Sequence, residues 1–361
     1  MADHTRRDHL SNPSQLLLRN LPRLRGAHLL VVHYPDDDFL AQLTRQEPAR
    51  RFTAFGEQYT AYRRAQTLQA AGELAGVDLH FAASYAPATA RHDAALIFLP
   101  KSRPLLEMTL AMVAAACQPG APVWLVGENR AGIRTAQPLL AQWIGPPRTL
   151  DTGRHSLLLE STLQATAVPF QLDAWLSQSV VELGDQSLPV INLPGVFSYG
   201  RLDEGTKLLL SSLTQPPGAT VLDLGCGAGV IGAFVKRRWP HCQVDLADVS
   251  ALALEATQRT WVANGLGEAR TVPSDLFADI TERYETILSN PPFHTGVQTD
   301  YGLVRRFVQG AQHHLRPGGV LHFVTQRSIK IQPLIETEIG DCTVVAQTPQ
   351  YTVYRAAKPR R

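Results

Sequence analysis

Short apolar runs recur along this chain, each closed by a turn-forming or charged residue, and several are followed by a segment of helical spacing. Leu29-Leu30-Val31-Val32 is the first, ending in Tyr34-Pro35-Asp36. Residues 57–76 carry helical spacing and good helix formers. Ala94–Leu99 is a second run, closed by Pro100-Lys101; an apolar-faced helix over Leu105–Cys117, a Pro119-Gly120 turn and the run Val123–Val126 follow. Residues 1–25 are polar and broken by Pro13 and Pro22, and Phe170–Leu176 reads as a short helix. Strands buried along their whole length and alternating with helices predict a parallel α/β sheet.

The second half repeats this order. Asp93–Lys101 is a strand ending in proline, followed by a helix, Pro119-Gly120 and Val123–Gly127. Tyr284–Pro292 is a strand ending in Pro-Pro, followed by a helix over Val304–His314, Pro317-Gly318-Gly319 and Val320–Val324. A duplicated domain explains the match. The expected boundary puts one domain at 1–186 and the other at 187–361, with the linker near Gly184–Pro189. In the second half Gly205–Leu213 is helical and Thr220–Leu224 a strand. The halves differ after their opening strands. The second has Gly225-x-Gly227-x-Gly229; the first has Tyr34-Pro35-Asp36-Asp37-Asp38, whose three carboxylates would repel an anionic or electron-rich ligand. The first half is therefore expected to serve as a scaffold or substrate platform.

Length and composition set outer limits. With 361 residues the chain suits two domains, and 44% apolar with 18% charged residues describes an ordinary globular protein. No apolar run is long enough to span a bilayer, and Met1–Asp8 has no secretory h-region. Cys117, Cys226, Cys242 and Cys342 show no CxxC spacing, which points to a reducing, cytoplasmic setting and away from a structural metal. A net charge of +2 does not by itself predict a nucleic-acid partner.

The chemistry concentrates in two segments. In Val221-Leu222-Asp223-Leu224-Gly225-Cys226-Gly227-Ala228-Gly229 a strand runs into a glycine turn, where backbone can approach a ligand closely. Asp223 just before the glycines fits a methyltransferase turn better than a dinucleotide turn. Asp248, ending the next strand, is placed to accept ribose hydroxyls, with an N-cap role as the alternative. Asp275-Leu276 follows a third strand, where Asp275 either meets an adenine amino group or is a plain turn residue. In Asn290-Pro291-Pro292-Phe293, the Asn290 side-chain oxygen and the Pro291 carbonyl can accept from both N–H groups of an exocyclic amine and free its lone pair. The prolines fix the backbone, and Phe293 would stack on the base. Together the segments imply methyl transfer from S-adenosylmethionine (SAM) to an exocyclic or amide nitrogen.

On these residues the chain resembles class I SAM-dependent methyltransferases, and more closely the ribosomal RNA small subunit methyltransferase C family, the guanine-N2 methyltransferases of 16S rRNA. The resemblance rests on Leu193–Asp203, Val221–Gly229, Asp248-Val249-Ser250, Ser289–Thr299 and, in the first half, Val126–Arg134. It implies two tandem Rossmann-like methyltransferase folds, the N-terminal one degenerate, acting on the assembled 30S subunit as a monomer. The implied SAM site includes Asp223, Gly225, Cys226, Gly227, Gly229, Asp248, Val249, Asp275, Leu276 and Asn290. The chain departs from the family pattern with Thr325-Gln326-Arg327 after the late strand and Asp275 in the adenine loop, where Asn is usual in both places. The alternatives are a 23S guanine-N2, adenine-N6 or protein-glutamine methyltransferase, a nicotinamide oxidoreductase, and a non-catalytic RNA-binding assembly factor.

Overall fold

A computed structural model describes residues 9–87, 92–164, 168–197, 202–295 and 298–360, with the side chains of 294–299 left aside. The chain divides into two units at Trp175/Leu176.

The first unit holds α1 (Asn12–Arg19), β1 (His28–Val32), α2 (Phe39–Gln46), β2 (Arg51–Gly56), α3 (Tyr59–Ala70), β3 (Val77–Phe81) and β4 (Ala94–Phe98). It continues with α4 (Arg103–Ala116), β5 (Pro122–Glu128), α5 (Gln137–Trp143), β6 (Arg148–Gly153) and β7 (Ser156–Thr162). The second opens with β8 (Ser177–Leu183), β9 (Gln186–Asn192), α6 (Glu204–Ser212), β10 (Thr220–Leu224), α7 (Val230–Arg238) and β11 (Gln243–Asp248). It continues with α8 (Ala251–Ala263), β12 (Arg270–Pro273), β13 (Tyr284–Ser289), β14 (His294–Thr295) and β15 (Gln298–Thr299). It ends with α9 (Tyr301–His314), β16 (Leu315–Gln326), α10 (Gln332–Glu338), β17 (Cys342–Gln347) and β18 (Tyr351–Ala357).

Among the described residues each unit has a seven-stranded sheet of one topology. The orders are β3-β2-β1-β4-β5-β7-β6 and β12-β11-β10-β13-β16-β18-β17. This bears out the duplication. In both sheets five strands are parallel and the last two antiparallel. The antiparallel pair separates this sheet from the all-parallel dinucleotide-binding order. The strands read as continuous apolar runs because both faces are covered. Leu29 and Val31 of β1 pack in one core layer with Leu96 and Phe98 of β4. Leu30 and Val32 pack in the opposite layer with Ile97.

Two expectations change. Pro13 does not break the segment expected as polar and broken: Ser11 caps α1, Pro13 lies in its first turn, and Leu16 and Leu17 are buried. Proline costs nothing there, since a first-turn N–H has no helical partner. The region expected as a linker, Gly184–Pro189, lies within the β8–β9 hairpin, which turns at Gly184-Asp185 between the paired residues Leu183 and Gln186. This hairpin belongs to the second unit. Ile191 N–H donates to Thr260 Oγ1 at 2.9 Å, and Asn264 Nδ2 donates to the Pro189 carbonyl at 2.7 Å, fastening it to α8.

Candidate functional site

In the second sheet β10 and β13 are neighbours, and the chain crosses to opposite sides from them. Such a reversal opens a crevice beyond the carboxyl ends of the strands. The glycine turn leaves β10 here and Asn290 leaves β13, with Leu224 and Ser289 paired side by side. Ser289 Oγ donates to the Leu224 carbonyl at 2.7 Å, which pins the two strand ends together.

The turn is built for close approach. Gly225, Gly227 and Gly229 have φ of +72°, +55° and +75°, a region costly for residues with a Cβ. A Cβ on Gly225 or Gly227 would meet nothing within 4 Å, so open space lies over both; at Gly229 it would meet Thr257 at 3.0 Å. Gly225 and Cys226 N–H groups donate to the Ala247 carbonyl, and Gly227 N–H donates to Asp248 Oδ2 at 2.9 Å. Asp248 Oδ1 accepts from Ser250 N–H at 2.9 Å. Asp248 therefore braces the turn against the end of β11, and burial raises its carboxyl. Val249 follows it, half-buried, while Ser250 itself caps α8. The Cys226 thiol is buried and pushed well up, chiefly by desolvation and then by Asp248 and Asp223, so it remains a neutral wall.

Asp223 lies below the turn, fully buried. Its Oδ2 accepts from Gly232 N–H at 2.9 Å, whereas its Oδ1 has no partner among the described residues. Burial raises its pKa to about 7, Gly232 works against the rise, and Asp248 adds to it. A buried acid with one unsatisfied oxygen beside an open glycine turn suits a cationic group on a ligand.

Asn290 Nδ2 donates to Asp203 Oδ2 at 2.8 Å and to Thr206 Oγ1 at 2.9 Å. The carboxylate only accepts, so the amide nitrogen faces α6 and Oδ1 is left free to accept. Oδ1 takes no hydrogen bond among the described residues. Asp203 also caps α6 through Thr206 N–H at 2.9 Å, so one carboxylate fixes both the helix start and the asparagine. The Pro291 carbonyl accepts from Phe293 N–H at 3.0 Å and keeps a second lone pair. Pro291 is buried and Pro292 exposed.

The crevice is lined by Gly225, Cys226, Gly227, Asn290, Asp203 and Phe197, with Ser179 and Asn192 of the hairpin among its other walls. Two expectations are corrected. Phe293 is 1% exposed and packs edge-on against Phe307 at 5.2 Å, so it offers no face to a base. Asp275 pairs through both oxygens with Arg306 at 2.9 and 3.0 Å, which directs the carboxylate away from an adenine role; Leu276, at φ +52°, is half-buried against the core. The sequence reading missed Asp203, Thr206 and Asn192. The signal for Asp203 was present: an aspartate two residues ahead of a glycine at the start of a predicted helix. Phe197 is 65% exposed at this crevice and was noticed only as part of an aromatic pair. Its partner Tyr199 lies outside the described residues.

Fold and crevice define a methyltransferase domain. Residues 187–355 match the family "Methyltransferase small domain", and residues 14–179 match "Methyltransferase small domain N-terminal". The chain belongs to the ribosomal RNA small subunit methyltransferase C family. It is 39% identical to the Pseudomonas aeruginosa (strain LESB58) protein of that name, over 96% of this chain and 98% of the relative. The Psychromonas ingrahamii relative is 34% identical over 98% of this chain and 97% of its own. The solved T. thermophilus 16S rRNA N2 methyltransferase, in complex with AdoMet and guanosine, superposes with a TM-score of 0.83 at 23% identity, covering 98% of this chain and 93% of that one.

Proposed function

We propose that this protein transfers the methyl group of SAM to the exocyclic N2 of a guanine in 16S rRNA, within the assembled small subunit. The observation that carries the reading is the Asn290 amide, held nitrogen-inward by Asp203 and Thr206 beside an open glycine turn. SAM supplies an electrophilic methyl on a sulfonium. The glycine turn gives the backbone room to approach the cofactor, and Asp223, buried beneath that turn, attracts the ammonium group by its charge.

Asn290 Oδ1 and the Pro291 carbonyl accept from the two N–H groups of the guanine amine. Both hydrogen bonds draw the nitrogen toward tetrahedral geometry and restore a lone pair for attack. The new N–C bond forms as the S–C bond breaks, and the proton then leaves the cationic nitrogen for water, so no strong base is required. Catalysis is mainly alignment of nitrogen, methyl and sulfur. Phe197, not Phe293, supplies the aromatic face for the base, because it is the exposed ring at the crevice. A base inside a helix must first be flipped out to reach it.

The test is transfer of labelled methyl to 30S subunits, 50S subunits and free 16S rRNA, followed by nucleoside analysis. N2-methylguanosine confined to 30S supports the proposal. Label in 50S, or no label with cofactor bound, overturns it.

A further inference from the structure

At the other end of the second sheet lies a groove of about 1010 Å³. Its floor is the start of β13 and β16, and its walls include Ser211 and Ser212 at the end of α6 and Thr214 just beyond it. Three guanidinium groups line it: Arg316, Arg355 and Arg360. One carboxylate, Glu285, lines it too, 3.7 Å from Arg316. Arg355 and Arg360 make no side-chain ion pair or hydrogen bond among the described residues. His322 is paired with Arg355 across β16 and β18 and is buried at the groove floor. Burial, and then Arg355, pushes its pKa down to about 4, so it stays neutral, with Nε2 3.1 Å from Ser212 Oγ.

Three arginines against one carboxylate in a single groove, two of them without an acid partner among the described residues, suit an anionic partner. Helix α6 connects the groove to the catalytic crevice. Asp203 and Thr206 at its start hold Asn290, while Ser211 and Ser212 at its end line the groove. Lys207, exposed, lies one turn before Ser211 on the same helix face. Nine residues of α6 span about 14 Å at 1.5 Å per residue, the reach of a few nucleotides. We propose that this groove binds the phosphodiester backbone of the substrate RNA, on the strand flanking the base held at Asn290. The proposal rests on the rRNA methyltransferase reading and adds to it the surface that the RNA follows.

The test compares the wild type with Arg355→Gln/Arg360→Gln and the charge-keeping Arg355→Lys/Arg360→Lys, measuring affinity for 30S subunits and free 16S rRNA across a salt series. The glutamine pair should weaken binding to both and reduce the slope of log K against log salt by about 2. The lysine pair should retain most of the affinity, and SAM affinity and melting temperature should stay at wild-type values. Wild-type affinity and slope in the glutamine pair, while the wild type still forms N2-methylguanosine, would overturn the groove and leave the methyltransferase reading standing. Weakened binding to 30S with unchanged binding to free 16S rRNA would assign the groove to an acidic protein partner and also overturn it. A wild type that neither binds RNA nor forms N2-methylguanosine would overturn both.

Discussion

The two sheets share one strand order, yet their crevices have opposite fates. In the second unit the chain leaves β10 through three glycines, and the space above Gly225 and Gly227 is open. In the first unit it leaves β1 through His33, at φ +56°, and the space is occupied by the protein itself. His33 Nδ1 is hydrogen-bonded to Glu57, just past β2, and its Nε2 lies 2.7 Å from Thr109 Oγ1 on α4. Tyr34 is buried against Gly56. Asp37 accepts from Ser11 N–H at 2.8 Å, Ser14 Oγ at 2.7 Å and Phe39 N–H at 2.9 Å, while Asp38 accepts from His9 N–H and pairs with Arg64. These aspartates were expected to repel a ligand. Two of the three instead turn inward, and Asp36 alone stays exposed. The difference between the crevices is satisfaction: one keeps a buried acid with a free oxygen, and the other has supplied its buried acids Asp37, Asp38 and Glu57 with partners.

The largest expected effect separates the working crevice from the filled one. Asn290→Ala should lower kcat by about 10²–10³-fold, the scale for removing a positioned hydrogen-bonding group from a transition state, with SAM affinity nearly unchanged. Calorimetric titration beside single-turnover kinetics distinguishes this from loss of cofactor binding, which would contradict the assigned role.

On the filled side, Glu57→Gln should cost about 1–3 kcal/mol of stability, because it takes from His33 Nδ1 its charged hydrogen-bond partner. Burial disfavours the Glu57 charge, but the charge and hydrogen bond of His33 outweigh this and hold its carboxyl below the usual range. An acid lowered on folding stabilises above its unfolded pKa, and that contribution fades as pH falls through the folded value. The wild type should therefore lose this increment on acidification, and the Gln variant should show none to lose. Denaturant melts at several pH values would reveal it. If the variant instead changed SAM affinity, the first crevice would not be closed off.

Much of this contrast was legible in the sequence. The glycine spacing, Asp223 and the Asn-Pro-Pro run are local signals, and continuous apolar runs such as Ala94–Leu99 announce strands buried on both faces. What escaped was set by tertiary context. Nothing local tells that Asp37 will face Ser11 and Ser14, or that Asp203 will reach Asn290 from 87 positions away. Arg306 claims Asp275 from a different helix in the same way. Phe293 and Phe197 are the sharpest case, since an aromatic beside a motif reads the same whether its ring ends in the core or at the crevice. Phe197→Ala should raise KM for the RNA substrate by an amount worth about 1–3 kcal/mol, the range for stacking one base, with Phe197→Trp restoring it. Phe293→Ala should mainly lower the melting temperature. Equal KM in Phe197→Ala and wild type would remove Phe197 from the base-stacking role.

The smallest effect probes the unsatisfied acid directly. Asp223, raised from 3.8 to about 7, holds its proton more tightly in the folded protein than in the unfolded chain. Its favourable contribution is complete below about pH 4 and declines as pH climbs to 7, the reverse of Glu57. A cation seated on the glycine turn above Asp223 lowers that pKa again, so cofactor binding at pH 6 should expel up to one proton. Affinity should then rise with pH by at most about ten-fold per unit and level off above 7. Titration calorimetry at pH 6 in two buffers of different ionisation enthalpy counts the proton. Asp223→Asn should bind more weakly, release none and lose the pH dependence, while its cofactor-free form should be no less stable than the wild type near pH 7. Equal proton release in wild type and Asp223→Asn would assign the linked group elsewhere, and the open crevice would then differ from the filled one by its space alone.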